Sequence, residues 1–193
     1  RDPRDMALSW KLSVIHRGGG ATASRVWKEA QSRGMQLYGY LKNFDKIALI
    51  RYEDLVRNTA AEIKNVCDFL DVSYLPVMLE FYEDKLTVTN SHISDCWENL
   101  RKPILGRNYG KYKFKLSENE IRYIETICGE EMEFFGYKPD YEFVQDLSAI
   151  EKSLFDSEIG WNIDYSKLSS SEKEKELARD NVLKRIKYYK HSP

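Results

Sequence analysis

The sequence predicts an α/β fold in which helices flank a parallel sheet, with the first part of that sheet missing from the chain. Three observations predict it. The run "KIALIRY" at 46–52 is short and nearly continuously apolar, as a strand covered on both faces reads. Segments with apolar residues at helical spacing stand on both sides of it, at 22–41 and 58–70. The opening "RDP" is the punctuation of a strand end feeding a helix. Asp2 serves as the cap, and Pro3 takes the first helical position, where a missing N–H loses no hydrogen bond. One strand cannot form a sheet, so its partners are expected upstream of residue 1 or in segments without a clear strand pattern.

Each element follows from local pattern. A first helix is expected over 3–15, with Met6, Leu8, Trp10, Leu12, Val14 and Ile15 as its apolar residues. "HRGGGATAS" breaks it, and a second helix over 22–41 carries Val26, Trp27, Ala30, Met35, Leu37 and Tyr38. After the strand, "NTAAEIKNVCDFL" has Asn58 or Thr59 as cap, Glu62 near the third position, and Ile63, Val66, Cys67 and Leu70 at helical spacing. Pro76 opens a short helix over 75–82. From 83 to 115 the period is lost among Asn, Ser, Gly and Pro, which predicts loop. "LSENEIRYIETICGEEMEFFGY" is the strongest helix: Ser117 caps it, Glu120 completes a capping box, and Ile121, Ile124, Ile127, Cys128 and Met132 face inward. Past residue 139 come an acidic loop, a serine run at 169–171 and a charged helix ending "VLKRIKYYKHSP". The expected organisation is therefore one domain over 1–139 and a helical extension over 140–193, the latter a docking helix or a contact in a homo-oligomer.

Composition narrows the function. A chain of 193 residues, 42% hydrophobic and 13% aromatic, suffices for one core and an appendage. Its 30 basic and 31 acidic residues leave a net charge of -1, so no global field recruits nucleic acid or an anionic membrane, and any anion site must be local. Lys184, Arg185, Lys187 and Lys190 accordingly read as the solvated side of a helix. No apolar run approaches the roughly 18 residues of a membrane span. Cys67, Cys96 and Cys128 lack metal-type spacing and, with no N-x-S/T sequon in the chain, lean towards a reducing, cytoplasmic setting. A Golgi or membrane anchor upstream of residue 1 is the alternative. His16, His92 and His191 are scattered singly and suggest neither a metal site nor a catalytic triad. Trp10, Trp27, Trp97 and Trp161 read as core or hinge aromatics.

The opening arginine carries the chemistry. At the carboxyl end of a strand beside a helix N-terminus, Arg1 stands where α/β folds bind phosphate, and a guanidinium there can fork two N–H bonds onto an anion. Ser9, on the helix that follows, brings a hydroxyl to the same side.

"RDPRDMALS" resembles the 3′-phosphate-binding motif of the sulfotransferases that use 3′-phosphoadenosine 5′-phosphosulfate (PAPS), in which an Arg and a Ser eight positions later grip the 3′-phosphate. "IALIRYEDLVRN" resembles that family's next strand and its "YEDL" turn, and "CDFLDV" the helix end that follows. "RKPILGRNYGKY", with the later "EEMEFFGY", is similar to the segment in which a basic loop closes over the cofactor before a K-W or K-Y pair and a terminal G-Y. The likeness spans 1–139 and is closest to the Golgi-type and bacterial branches. It implies a P-loop NTPase-like sheet and PAPS or adenosine 3′,5′-bisphosphate as ligand. Carried over by residue, it implies Arg1 and Ser9 on the 3′-phosphate, Tyr52 at the adenosine end and Lys102 in the closing loop, with Arg101 and Arg107 as further cations. The implied reaction is sulfuryl transfer to a hydroxyl or amine of a carbohydrate, a peptide tyrosine, a lipid or a small alcohol. The family's 5′-phosphosulfate loop and general base are expected upstream of residue 1. "HRGGGATAS" follows a helix rather than a strand and lacks G-K-[ST], so it does not replace that loop. The rival readings are a non-catalytic nucleotide-binding fragment or pseudoenzyme, and a P-loop kinase-like phosphotransferase.

Overall fold

A computed structural model describes residues 1–13, 19–93, 95–158 and 168–178. Helix α1 spans Pro3–Leu12. The Asp2 side chain accepts the Arg4 N–H at 2.8 Å, as the cap predicted from sequence should. The helix ends at Leu12 because Ser13 is already extended, at φ -77° and ψ 136°. The expected continuation through Val14 and Ile15 lies outside the described residues. Helix α2, Gly20–Leu41, packs on α1 and on α6, Glu118–Phe134, and these three helices form the core. Ala7 and Leu8 meet Ala23 and Trp27 there, against Ile121, Ile124, Cys128 and Met132 of α6. Cys67 and Cys128 are free, buried thiols, and burial pushes the Cys128 thiol up to about 12, with Glu131 adding to the effect.

Both ends of α6 follow their sequence signals. Ser117 and Glu120 form the reciprocal capping box. At the other end Gly136 takes φ 73°, the Tyr137 N–H donates to the Met132 carbonyl at 2.8 Å and the Gly136 N–H to that of Glu133 at 3.0 Å. This double closure is a Schellman motif, and it turns Tyr137 back under the core.

The parallel sheet expected from the sequence is absent: among the described residues there is no strand. The segment 46–51 is extended, but no neighbouring segment shares a ladder with it. Leu49 and Ile50 are 47% and 41% exposed rather than covered. An apolar run reports a tendency to be buried, whereas pairing needs a second strand, so the pattern alone does not make a sheet. The P-loop NTPase-like expectation is corrected with it.

Past this segment come α3, Tyr52–Arg57, and α4, Thr59–Phe69. The short helix expected over 75–82 is a pair of 3-10 turns, Pro76–Leu79 and Phe81–Glu83. The stretch expected to be loop contains α5, Lys85–Ser91, capped by Asp84, and 3-10 turns at Asp95–Arg101 and Lys111–Phe114. Elements this short complete too few turns to print a period in the sequence. Beyond α6, the Asp140 and Tyr141 N–H groups donate to the Glu125 carboxylate at 2.8 and 3.0 Å, which lays the chain back on α6 before α7, Ser148–Glu158. Residues 170–178 are helical, and Ser169 and Glu172 cap them reciprocally, so the serine run starts a helix. The ending "VLKRIKYYKHSP", His16 and Trp161 lie outside the described residues. No helix among the described residues is long and apolar enough to cross a membrane.

Candidate functional site

Asp2 and Pro3 start α1 so abruptly that Arg1 is left at its head, and three neighbours fix it there. The Arg1 carbonyl accepts the Trp27 indole N–H at 3.0 Å. The next N–H, that of Asp2, donates to Glu53 at 2.8 Å. The guanidinium lies 4.8 Å from the centre of the Tyr52 ring, within cation–π range. Its Nε is buried and has no hydrogen-bond partner among the described residues. A buried N–H without an acceptor is costly, so this position suits an acceptor from outside the chain.

Arg1 lines a cavity of ≈ 650 Å³, within the range of ligand sites. Ser9 lines the same cavity two turns along α1, as do Asp5, Leu8, Leu12 and Ser13. Trp97, Asn99, Asn108, Lys111 and Lys115 complete its lining. Tyr52 stands behind Arg1 and accepts the Asn108 amide N–H on its hydroxyl at 2.7 Å, and Asn108 in turn accepts from the Lys111 ammonium at 2.6 Å. One continuous chain of contacts thus runs from Arg1 through Tyr52 and Asn108 to Lys111.

Of the residues read from sequence, the structure brings Arg1, Ser9 and Tyr52 together and leaves Lys102 apart. The Lys102 ammonium is held on its own 3-10 turn by Glu98 at 2.9 Å and Asn99 at 3.2 Å, and does not line the cavity. Arg101 pairs with the same Glu98 at 3.6 Å. The loop's cations in the cavity are Lys111 and Lys115. The Lys111-Tyr112 pair was the available signal for the first of these, since a K-Y pair closes the basic loop in the resemblance.

A buried charged cluster holds the two walls in register. Arg4 is bound by Asp2 at 2.7 Å and Glu125 at 2.5 Å, and lies 4.3 Å from the centre of the Tyr112 ring. Tyr112 donates its hydroxyl to Asp140 at 2.7 Å; burial first and this bond second push the phenol above its ordinary range, keeping it a neutral donor. Burial alone would raise the Glu53 carboxyl, but the Asp2 N–H and the Tyr137 hydroxyl outweigh it and hold the group below the usual carboxylate range.

One guanidinium, two ammonium groups and a helix-borne hydroxyl thus line one cavity, together with the Asp5 carboxylate. The sulfotransferase domain family matches residues 25–136, more than half of the chain, and the chain belongs to that family. It is 28% identical over 111 residues to carbohydrate sulfotransferase 1 of Danio rerio, a match covering 55% of this chain and 26% of that protein. The chain therefore spans about a quarter of the length of that relative. No solved structure matches it. The family match includes Tyr52, Asn108, Lys111 and Lys115, and begins after Ser9.

Proposed function

We propose that this chain holds the nucleotide of a sulfotransferase that moves a sulfuryl group from PAPS to a carbohydrate hydroxyl. The observation that carries the reading is the cavity that Arg1 and Ser9 share with Lys111 and Lys115, with the Arg1 Nε lacking a partner among the described residues. The donor set fits a ribose-attached dianion: Arg1 supplies a forked N–H pair, Ser9 a hydroxyl and Lys111 an ammonium. Tyr52 keeps the guanidinium in place from behind, while Trp97 offers an aromatic face to the bulkier part of the ligand. When bound, PAPS supplies an activated sulfuryl group on its 5′-phosphate. The residues of this chain bind and orient the far end of that donor, and positioning and fixed charge are what such transfers need most from a protein. The carbohydrate acceptor is supported by the activity that the Danio rerio protein's name states.

Adenosine 3′,5′-bisphosphate is the probe. Titration calorimetry should show it binding the full chain, and Arg1→Ala or Ser9→Ala should weaken it by about tenfold or more, the loss of a charged or charge-assisted hydrogen bond. Adenosine 5′-phosphate, without the 3′-phosphate, should bind weakly to all three proteins. Unchanged affinity in both variants sinks the assignment.

A further inference from the structure

Asp5 poses a problem for an anion site. It lines the cavity, is only 2% exposed, and brings a carboxylate to a lining whose other charged groups, Arg1, Lys111 and Lys115, are all cations. On Coulomb grounds alone such a group repels a phosphate. Its two oxygens are nonetheless both engaged. Oδ1 accepts the Tyr112 N–H at 3.0 Å and Oδ2 accepts the Gly110 N–H, so one carboxylate spans the turn that contains Lys111.

We propose that Asp5 is a positioning residue that clamps the 110–112 turn to α1 and thereby aims Lys111 into the cavity. The inference rests on the nucleotide reading above and adds a residue to it. Tyr112 secures the far side of the turn through its buried ring and its bond to Asp140. On the near side Asn108 is bonded to Tyr52 and the Tyr109 ring lies 5.0 Å from the Arg57 guanidinium, while Gly110 itself sits at φ 69°, a conformation in which the chain turns sharply and which the bond from its N–H to Asp5 stabilises. Lys111 lies between the two tethered N–H groups, and its ammonium reaches Asn108 on the Tyr52 side. Releasing the tether frees Lys111 from its place in the cavity lining.

The sign of one substitution decides. Asp5→Asn removes the negative charge while keeping the shape, but an amide accepts at one atom only, so one of the two N–H bonds is lost. If the carboxylate merely repels the ligand, D5N binds adenosine 3′,5′-bisphosphate as tightly as the native chain or more tightly. As a clamp, it must bind about tenfold more weakly. Lys111→Ala should weaken binding to a similar extent, and the double variant should be no more than about twofold worse than K111A, because both changes remove one interaction. Equal or tighter binding by D5N, or losses that multiply in the double variant, overturns the clamp. Arg1→Ala in the same series separates the readings: loss of binding in R1A with none in D5N defeats the clamp and leaves the nucleotide site standing. Should D5N fail to fold, hydrogen exchange on the native chain carries the test. The Gly110 and Tyr112 amides must both be protected without nucleotide, and fast exchange at Gly110 overturns the proposal.

Discussion

The Glu53 carboxylate accepts the Asp2 N–H on one oxygen and the Tyr137 hydroxyl on the other, each at 2.8 Å, so one side chain joins the head of α1 to the end of α6. Because these bonds hold the folded group below its ordinary value, its contribution to stability has a definite pH dependence. Above the unfolded value of 4.5 the carboxylate is ionised in both states, and its bonds contribute in full. As pH falls through 4.5 the unfolded chain takes up the proton first, and stability drops until the folded group titrates too. Glu120, held down against its burial by Lys11 and Ser117, acts in the same direction over the same window. Urea denaturation at about pH 7 and about pH 3 should therefore show the native chain less stable at the lower pH. Glu53→Gln should be less stable at the higher pH and lose less on acidification. A native-like acid loss in that variant would mean Glu53 takes no part in it.

At the scale of elements, the turn from α6 into Tyr137 does most to relate the core to the site. Gly136 is at φ 73°, and a Cβ there would stand 3.6 Å from Arg51 Nη1, an ordinary contact. The penalty for a side chain is thus one of backbone conformation, and Gly136→Ala should cost about 1–2 kcal/mol, read as a lower urea midpoint with an unchanged slope. A variant as stable as the native chain would show that the Schellman closure does not depend on glycine. The start of α6 was legible in advance as Ser117 with Glu120, because capping chemistry is local and its residues adjoin, whereas the G-Y at its end was noted only through the resemblance. Arg1 and Ser9 were paired through the motif resemblance, and the structure places both in the lining of one cavity. Lys111 was signalled only by the K-Y pair of the resemblance, while Asn108 and Lys115, on either side of the turn at Lys111–Phe114, belong to no periodic element that would have marked them. Lys102 reads like any loop cation, and only the fold shows that Glu98 occupies it.

For the molecule as a whole, the unpaired segment 46–51 is the main departure from what the sequence suggested, and its surroundings are unusual. Leu49 and Ile50 are exposed beside backbone groups that make no hydrogen bond to another part of the described chain, and Phe44 just before them is 61% exposed. An extended edge with apolar side chains is a template for pairing with another chain. The described helices offer nothing that covers it, while Arg51 and Tyr52 at its end are tied down by Tyr137 at 4.5 Å and by Arg1. The segment is therefore held extended at one end and left open along its length, a geometry that favours addition of a second strand over collapse. Sedimentation velocity should show concentration-dependent association of the 193-residue chain, accompanied by binding of a hydrophobic dye. Ile50→Lys places a charge on the open edge without touching the core of α1, α2 and α6, so it should reduce both signals and leave the thermal midpoint and nucleotide affinity unchanged. Equal association in the native chain and in I50K would locate the contact elsewhere. A native chain that stays monomeric at every concentration would show that this edge is shielded in solution.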